Sequence, residues 1–255
     1  MDATETVTEL AAAVDDADTV VAFTGAGVST ASGVPDFRGD SGVWNRFDPE
    51  NFHYDRFRSD PAGFWADRVE LHEAMFGEDV APNAAHEALD ALAAAGRLDA
   101  IITQNTDGLH AGTPADLVEL HGNADRVACE TCCERFDAGP VHERVRAGEE
   151  RPPRCDADGC DGLLKPDVVL FGERIPEVDL SMARSWARRA DVFLTVGSSL
   201  TVEPAASLPR TAERSGATAA VVNLESTPFD DRAAFVLRRD VTDVLPALAD
   251  RVTSA

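Results

Sequence analysis

TVVAFTGAGVSTASGVPDFRG, residues 19–39, is the stretch of this sequence from which we predict the fold. The apolar run at 19–23 is typical of a buried parallel strand. The glycines of Gly25-Ala26-Gly27 allow a tight turn and a close backbone approach, and the helix that follows offers free N–H groups to a pyrophosphate. A dehydrogenase fingerprint would place glycine where Thr30 stands. The loop continues instead into Phe37-Arg38, which indicates a cofactor held for chemistry other than hydride transfer.

Composition limits the classes of function that the chain can serve. Its 255 residues, 44% of them hydrophobic, suffice for one large domain or for one domain with a small insert. No apolar run reaches about 18 residues, and the acidic first residues lack the apolar core of a signal peptide, so we expect a cytoplasmic protein without membrane contact. The net charge of -23 repels nucleic acid, which we do not expect as a partner. That charge, with Lys165 as the single lysine, indicates either a halophilic protein or an ordinary acidic one.

Apolar runs and helical patterns alternate along most of the chain. This alternation predicts the α/β class, with a Rossmann-like doubly wound parallel sheet. The predicted strands are residues 19–23, 100–103, 117–120, 168–170, 192–196 and 219–223. The predicted helices are residues 6–16, 83–95, 179–190 and 203–215, with a last helix across 241–248. Residues 40–80 are rich in aromatic side chains and interrupted by prolines, which indicates a loop and a small helical insert.

Four cysteines have the spacing of a structural metal site. Cys129 and Cys132 form a C-x2-C pair, and Cys155 and Cys160 form a C-x4-C pair after a gap of 22 residues. Two thiolate pairs suit one tetrahedral zinc ion with no open position, so the metal would be structural. Disulfides are the alternative, which a reducing cytoplasm disfavours. Cys133, the fifth cysteine, either competes with Cys132 as a ligand or is a free thiol beside the site, and the sequence favours the free thiol.

Polar or small side chains follow the predicted strands directly. They are Gln104, Asn105 and Asp107; His121; Gly197-Ser198-Ser199; and Asn223-Leu224-Glu225. In doubly wound sheets, ligands bind outside the carboxyl ends of the strands, so these groups are expected to share one pocket. Amide side chains bind ribose hydroxyls or a carboxamide. The ordinary pKa of histidine, about 6.5, suits a general base at neutral pH, which makes His121 the candidate base.

Together these motifs resemble the sirtuin family of NAD-dependent protein deacylases, over nearly the whole chain. The matching motifs, in the family's order, are Gly25–Gly39, Thr103–His110, His121-Gly122, the four cysteines, Leu164-Lys165-Pro166, Phe171-Gly172-Glu173, Gly197-Ser198-Ser199 and Asn223-Leu224-Glu225. The resemblance implies a discontinuous Rossmann-type NAD-binding domain and a smaller lobe. The large domain would comprise residues 1–39, 83–125 and 163–255. The lobe would comprise a cofactor loop and helical insert at 40–82 and a zinc module at 126–162.

The resemblance also implies a reaction, in which NAD is cleaved to nicotinamide and the acetyl group of an acetylated protein passes to ADP-ribose. His121 would be the general base, with Asn105 as the second catalytic residue, and Phe37 would shield the reacting ribose. The residues expected to hold NAD are Gly25, Ala26, Gly27, Thr30, Phe37, Arg38, Gln104, Asn105, Thr106, Asp107, His121, Gly197, Ser198, Ser199, Asn223, Glu225, Asp240 and Val241. Those expected to bind the peptide, by added main-chain pairing, are Val168, Val169, Phe171, Gly172, Glu173 and Val202. We expect a monomer.

Three departures from the family pattern bear on specificity. Lys165 stands where the family usually has arginine, which keeps the charge and loses the bidentate fork. Leu170 replaces a common tryptophan. Arg68 and Leu71 align with the Tyr-x-x-Arg of sirtuins that remove succinyl or malonyl groups. Because no arginine is paired with a tyrosine here, the sequence predicts a preference for neutral acyl groups.

Two other functions fit parts of the sequence. A mono-ADP-ribosyltransferase on the same fold would use the same NAD site, and a non-catalytic NAD- and zinc-binding regulator would need no base. The presence of His121 and of the peptide-binding segments favours the deacylase.

Overall fold

A computed structural model describes residues 3–36, 42–77 and 79–254 of the chain. The helices are α1 Ala3–Asp15, α2 Tyr54–Ser59, α3 Pro61–Met75, α4 Ala84–Ala94, α5 Ala138–Ala147, α6 Glu177–Arg189, α7 Leu208–Arg214 and α8 Val241–Thr253. The strands are β1 Val20–Thr24, β2 Ala100–Thr103, β3 Asp116–Glu119, β4 Gly122–Cys129, β5 Arg135–Asp137, β6 Leu164–Val168, β7 Val192–Val196, β8 Thr218–Val222 and β9 Phe235–Leu237. No described helix is both long enough and apolar enough to span a bilayer.

The main sheet has six parallel strands in the order β3-β2-β1-β7-β8-β9. The chain runs outward from β1 through β2 to β3, and later resumes on the other side of β1 with β7. The last residue of β1, Thr24, pairs with Thr103 at the end of β2 and with Val196 at the end of β7. The carboxyl ends of the central strands therefore lie at one edge, where the strand order reverses, and this confirms the predicted doubly wound sheet.

Helices cover both faces of this sheet, because alternate residues of its strands point to opposite sides. In β1, Val20 and Ala22 pack into a core formed with α1, α4 and α8. Val21 and Phe23 pack into the opposite core, formed with α6 and α7. All five residues of β1 are buried, which explains its continuous apolar sequence.

Helix boundaries follow from local chemistry. Asn83 caps α4 by accepting a hydrogen bond from the Ala85 N–H at 2.9 Å. Gly96, with φ of +70°, closes the same helix in the left-handed conformation. The helix predicted at 203–215 is shorter, because a 3-10 turn at Ala205–Ser207 precedes α7.

A second sheet is antiparallel, in the order β5-β4-β6. It packs with α2, α3 and α5 around a separate core that contains Phe57, Phe64 and Trp65. The Trp65 indole N–H donates to the Leu164 carbonyl at 2.9 Å, which ties α3 to β6. Several of the aromatic residues clustered at 40–80 therefore pack this core.

The strand predicted at 168–170 is wrong in position and in partner. β6 lies earlier, at Leu164–Val168, and pairs with β4 rather than with the main sheet. Its residues alternate between buried and half-buried. The apolar run from Val168 to Leu170 has another cause, since these residues line a cavity.

Candidate active site

Two glycine turns pack backbone to backbone at the carboxyl edge of the main sheet. The Gly27 N–H donates to the Gly197 carbonyl at 2.8 Å. Gly197 has a φ of +61°, and a Cβ there would lie 2.5 Å from the Val28 nitrogen. A Cβ on Gly25 would lie 2.8 Å from the Gly197 oxygen. The close approach of the loops after β1 and β7 therefore requires glycine at both positions.

The loops after β1, β2, β7 and β8, with the start of α8, enclose a cavity of about 490 Å³, which we call the loop cavity. It is lined by Gly25, Ala26, Gly27, Thr30, Asp36, Gln104, Asn105, His121, Gly197, Ser198, Ser199, Thr201, Val202, Asn223, Leu224, Glu225, Asp240 and Val241. Most of the residues predicted to hold NAD are brought together here. Phe37 and Arg38, also predicted, lie outside the described residues.

Two amide side chains join the loops that form this cavity. Gln104 donates from Nε2 to the Ser198 hydroxyl at 2.8 Å and to the Thr24 carbonyl at 3.2 Å. Asn105, which is buried, donates from Nδ2 to the Gly25 carbonyl at 3.1 Å. These bonds fix both amide groups through contacts within the protein, so their positions at the cavity do not depend on a ligand.

Asp107 and Thr106 were predicted to touch the cofactor, but neither lines the loop cavity. Asp107 lies behind Asn105, where its carboxylate accepts from the Ser29 hydroxyl at 2.6 Å and from the Leu109 N–H at 3.0 Å. Ser29 also accepts from Asn105 at 3.0 Å. Asp107 therefore supports the position of Asn105, while Thr106 lines a neighbouring cavity.

The start of α8 contributes two of the predicted residues, Asp240 and Val241. The Asp240 carboxylate caps the helix, accepting from the Thr242 N–H at 2.9 Å and from its hydroxyl at 2.7 Å. The hydrogen bonds from the Thr242 side chain and backbone lower the pKa of Asp240. This carboxylate is thus committed to its own helix.

His121 is oriented by one backbone hydrogen bond. Its Nδ1 lies 2.8 Å from the Gln104 carbonyl oxygen. A carbonyl oxygen only accepts, so Nδ1 carries the proton and Nε2 keeps a lone pair. Burial lowers the pKa of His121 below 6.5, although the bond to Gln104 opposes this shift. The imidazole is therefore neutral at pH 7, with its basic nitrogen available as a proton acceptor.

A second cavity of about 530 Å³ lies between the two sheets, and we call it the cleft cavity. It is lined by Trp44, Phe52, Arg68, Leu71, Met75, Phe76, Gln104, Thr106, His121, Val168, Val169, Leu170, Phe171, Gly172, Glu173, Arg174, Ile175, Glu177, Leu180, Val202, Glu203 and Pro204. All six residues predicted to bind peptide are among them. His121, Gln104 and Val202 line both cavities, so the imidazole lies where the two spaces meet.

Lys165 fixes the loop that forms one wall of the cleft cavity. Its ammonium lies 2.8 Å from the Glu173 carboxylate and donates to the Val168 carbonyl at 2.8 Å. The same carboxylate accepts from the Leu170 N–H at 2.8 Å. The Val169 N–H donates to the His121 carbonyl at 2.9 Å, which joins this loop to the candidate base. The single ammonium nitrogen of Lys165 thus makes both contacts, for which an arginine would use the forked nitrogens of its guanidinium.

Several cavity residues were not predicted from the sequence. Asp36 and Thr201 line the loop cavity. Leu224 lines it too and is exposed although apolar; it belongs to the Asn223-Leu224-Glu225 motif expected in this pocket, but no contact with NAD was assigned to it. The aromatic and helical residues of the cleft cavity, such as Trp44, gave no comparable signal.

The four predicted metal ligands converge. The Sγ atoms of Cys129, Cys132, Cys155 and Cys160 all lie within 4.8 Å of one another. Two of the Sγ pairs, 129 with 160 and 132 with 155, are 3.6 Å apart. A disulfide requires about 2.05 Å, whereas two ligands of a tetrahedral zinc at about 2.3 Å lie about 3.8 Å apart. The cluster therefore fits zinc and does not fit two disulfides.

Backbone donors around the cluster also suit thiolates. The Thr131 N–H points at the Cys129 sulfur at 3.3 Å, and the Gly162 N–H points at the Cys160 sulfur at 3.4 Å. Hydrogen bonds of this kind, from backbone N–H groups to the sulfur atoms, are typical of metal sites. Cys133, which is exposed, does not belong to the cluster.

Comparison with known proteins shows relatives along the whole chain. Residues 25–204 match the model of the Sir2 family. An NAD-dependent protein deacetylase of Haloarcula marismortui is 55% identical, over 97% of this chain and 95% of that protein. One from Sulfurisphaera tokodaii is 43% identical, over 92% and 91%. The first relative comes from a halophile, which favours the halophilic of the two interpretations of the net charge.

Solved structures of the same family have the same architecture. A complex described as Sir2 with p53 peptide and NAD+ has a TM-score of 0.83 and 33% identity, over 97% of this chain and 98% of that one. A structure solved in work on the mechanism and regulation of Sir2 enzymes has a TM-score of 0.83 and 36% identity, over 98% of both chains.

Proposed function

Because this chain belongs to the Sir2 family, we infer that it is an NAD-dependent protein-lysine deacetylase, which cleaves NAD to nicotinamide and transfers the acetyl group to ADP-ribose. One observation carries this conclusion: His121, with a free basic nitrogen, lines both the loop cavity and the cleft cavity. A reaction that joins a dinucleotide to an acyl-lysine needs its base at such a junction.

The loop cavity fits the dinucleotide. Its walls combine backbone-lined glycine turns with fixed amide and hydroxyl groups, which suit phosphates, ribose hydroxyls and a carboxamide. NAD, when bound, supplies the ribosyl carbon that the acetyl oxygen attacks as nicotinamide leaves. The side chain of Asn105 is held by Gly25 and Ser29 and orients the reacting end. The cofactor contacts assigned to individual residues remain proposals.

The base acts through its fixed tautomer. His121 accepts a proton from a ribose hydroxyl at Nε2, while Nδ1–H stays bonded to the Gln104 carbonyl. The positive charge that forms on the ring is stabilised by that carbonyl. Apolar side chains of the cleft cavity, among them Leu170 and Ile175, keep water from the reacting carbon.

The cleft cavity receives the acyl-lysine and its peptide. We place an extended peptide between the loop 168–173 and the segment 200–203, where main-chain hydrogen bonds hold it regardless of its sequence. The ion pair between Lys165 and Glu173 keeps the first of these loops in place. The cysteine cluster would hold a structural zinc, because its four thiolates leave no ligand position for substrate.

Incubation with NAD and an acetyl-lysine peptide tests this function. We expect nicotinamide, deacetylated peptide and O-acetyl-ADP-ribose in equal amounts, measured by mass spectrometry of the whole mixture. ADP-ribose attached to protein would instead identify a mono-ADP-ribosyltransferase. NAD binding without nicotinamide release would identify a regulator.

The pH dependence of kcat/KM is expected to reveal the lowered pKa of His121. Burial moves this pKa below 6.5, so the imidazole stays neutral to a lower pH than a free histidine does. The rate should begin to fall at a lower pH than it would for a histidine with an ordinary pKa, and then fall about tenfold per unit below the pKa. A midpoint of the acidic limb at or above 6.5 would contradict the assignment, as would an unchanged limb in the His121→Asn variant.

A further inference from the structure

β4 begins directly after His121, at Gly122, and is soon interrupted by a bulge against β6. The pairing with β6 shifts between Gly122 and Val127, so that four residues of β4, at 123–126, lie opposite the single residue Asp167. Bulges commonly occur next to active sites, where they change the direction of a neighbouring side chain. The candidate base therefore lies beside an irregular segment, and the shape of that segment determines where its imidazole points.

Gly122 permits the two strands to approach closely at this point. It has a φ of +79°, in the left-handed region, and a Cβ there would collide with the Asp167 carbonyl oxygen. The Val169 N–H donates to the His121 carbonyl at 2.9 Å. The glycine that follows the base therefore lets β6 bring the loop 168–173 against His121.

The carboxylate of Glu119 closes the bulge with both of its oxygens. Oε1 accepts from Nδ2 of Asn123 at 2.7 Å, and Oε2 accepts from Nη2 of Arg126 at 2.7 Å. Glu119 ends β3 of the main sheet, two residues before His121, whereas both of its donors follow the histidine. We call these three side chains the Glu119 clasp. Because the clasp joins the segments before and after the base, residues 119–126 form a closed loop that contains His121.

Arg126 also connects the clasp to the second sheet. Its Nε donates to the Asp167 carboxylate at 3.0 Å, across the interruption in strand pairing. The exposed fraction of the side chain is 38% for Arg126, 20% for Glu119 and 14% for Asp167. Charged hydrogen bonds that are partly shielded from water are stronger than ion pairs on an open surface. The guanidinium therefore ties the end of β3 in the main sheet to β6 in the second sheet.

The bulge also contacts the loop that orients the imidazole. The Ala124 N–H donates to the Thr106 carbonyl at 2.8 Å. Thr106 belongs to the loop after β2, and in the same loop the Gln104 carbonyl oxygen lies 2.8 Å from Nδ1 of His121. A change in the shape of the bulge therefore acts on the hydrogen bond that fixes the tautomer of the base.

We propose that Arg126 and Glu119 are positioning residues for His121, because their ion pair fixes the bulge that holds the imidazole between the loop cavity and the cleft cavity. Neither is among the described residues that line these two cavities, so both act through the base and the loops beside it. This proposal rests on the proposed function, in which His121 is the base. A displacement of about 1 Å at a reacting group can lower the rate on the order of 100-fold.

Arg126→Met and Arg135→Met form a matched pair of variants. Arg135 donates to the same Asp167 carboxylate at 2.8 Å, but it is more exposed and none of its described contacts is with Glu119. We expect Arg126→Met to lower kcat for deacetylation at least about tenfold, with the KM for NAD within about twofold. Arg135→Met should keep kcat within about twofold. Equal losses in the two variants would overturn the proposal, and so would an unchanged kcat in Arg126→Met.

Glu119→Gln tests the other side of the ion pair with almost no change in volume. The glutamine amide keeps an oxygen that can accept from Asn123, and it loses the charge that pairs with Arg126. Because both substitutions remove the same contact, the double variant should be no more than about twofold slower than Arg126→Met alone. Losses that multiply would show that the two residues act separately. If Arg126→Met does not fold, Glu119→Gln against Arg135→Met gives the same comparison.

NMR of the His121 ring separates positioning from general instability. In enzyme whose histidine nitrogens carry an NMR-active isotope, the signals of His121 are identified by their loss in His121→Asn. The unmodified enzyme should show a proton on Nδ1, and Arg126→Met should show a mixture of the two tautomers. An unmixed Nδ1–H form in Arg126→Met would contradict the proposal. This readout needs no turnover, so it tests the clasp even if an enzyme inert to every acyl peptide refuted the proposed function.

Discussion

Replacement of His121 with alanine is expected to lower the rate of peptide deacetylation by at least about 100-fold, which is the usual contribution of a general base. The loss should appear in kcat, because the proton is transferred only during the reaction. The measurement follows nicotinamide and deacetylated peptide in the same sample. Thermal melting of the variant shows whether the fold has survived the change.

His121→Asn is the matched control for this prediction. The asparagine amide can donate to the Gln104 carbonyl, as Nδ1–H of the histidine does at 2.8 Å. It has no basic lone pair at neutral pH, so it restores the hydrogen bond without the base. We expect the same loss as with alanine. If asparagine recovered activity to within about threefold of the unmodified enzyme, His121 would be a positioning residue and another group would be the base.

The main sheet could be predicted because its strands are buried on both faces. β1, β2 and β7 read as continuous apolar runs, and polar residues begin where each strand ends. The position of the loop cavity follows from that pattern together with the rule for parallel sheets. β9 was missed because its three residues, Phe235–Leu237, form a short edge strand without a pattern of its own.

The cleft cavity was harder to predict, because its helix is buried on two sides. α3 packs Phe64 and Trp65 into the core of the second sheet and turns Leu71 and Met75 toward the cavity. A helix with two buried faces lacks the single apolar stripe that indicates an amphipathic helix. The sequence aligned Arg68 with an acyl-selecting motif, but the helix pattern did not predict that this residue is buried, with 7% of it exposed.

The second sheet was missed for a related reason. β4 and β5 contain few apolar residues, because only one of their faces is covered. The cysteine spacing still placed a metal site in this region, since ligand geometry depends on few residues. The domain boundaries given by the resemblance remain a prediction.

Loss of one zinc ligand is expected to destabilise the second sheet and, through it, the active site. In Cys132→Ser we expect the bound zinc, measured by elemental analysis, to fall from one per chain to nearly none. Structural zinc contributes on the order of 10 kcal/mol to folding, so even a third of that loss would lower the melting temperature by about 10 °C. Deacetylation should fall as well, because β6 leads directly from this sheet into the loop 168–173.

Cys133→Ser provides the matched control, one residue further along the chain. Cys133 is exposed and outside the sulfur cluster, so this variant should keep one zinc per chain and melt within about 2 °C of the unmodified enzyme. The two variants make the same chemical change to adjacent residues and differ only in whether the sulfur is a ligand. Equal zinc contents in the two variants would show that Cys132 is not a ligand. Zinc loss with full activity would show that the metal does not support the peptide-binding loop.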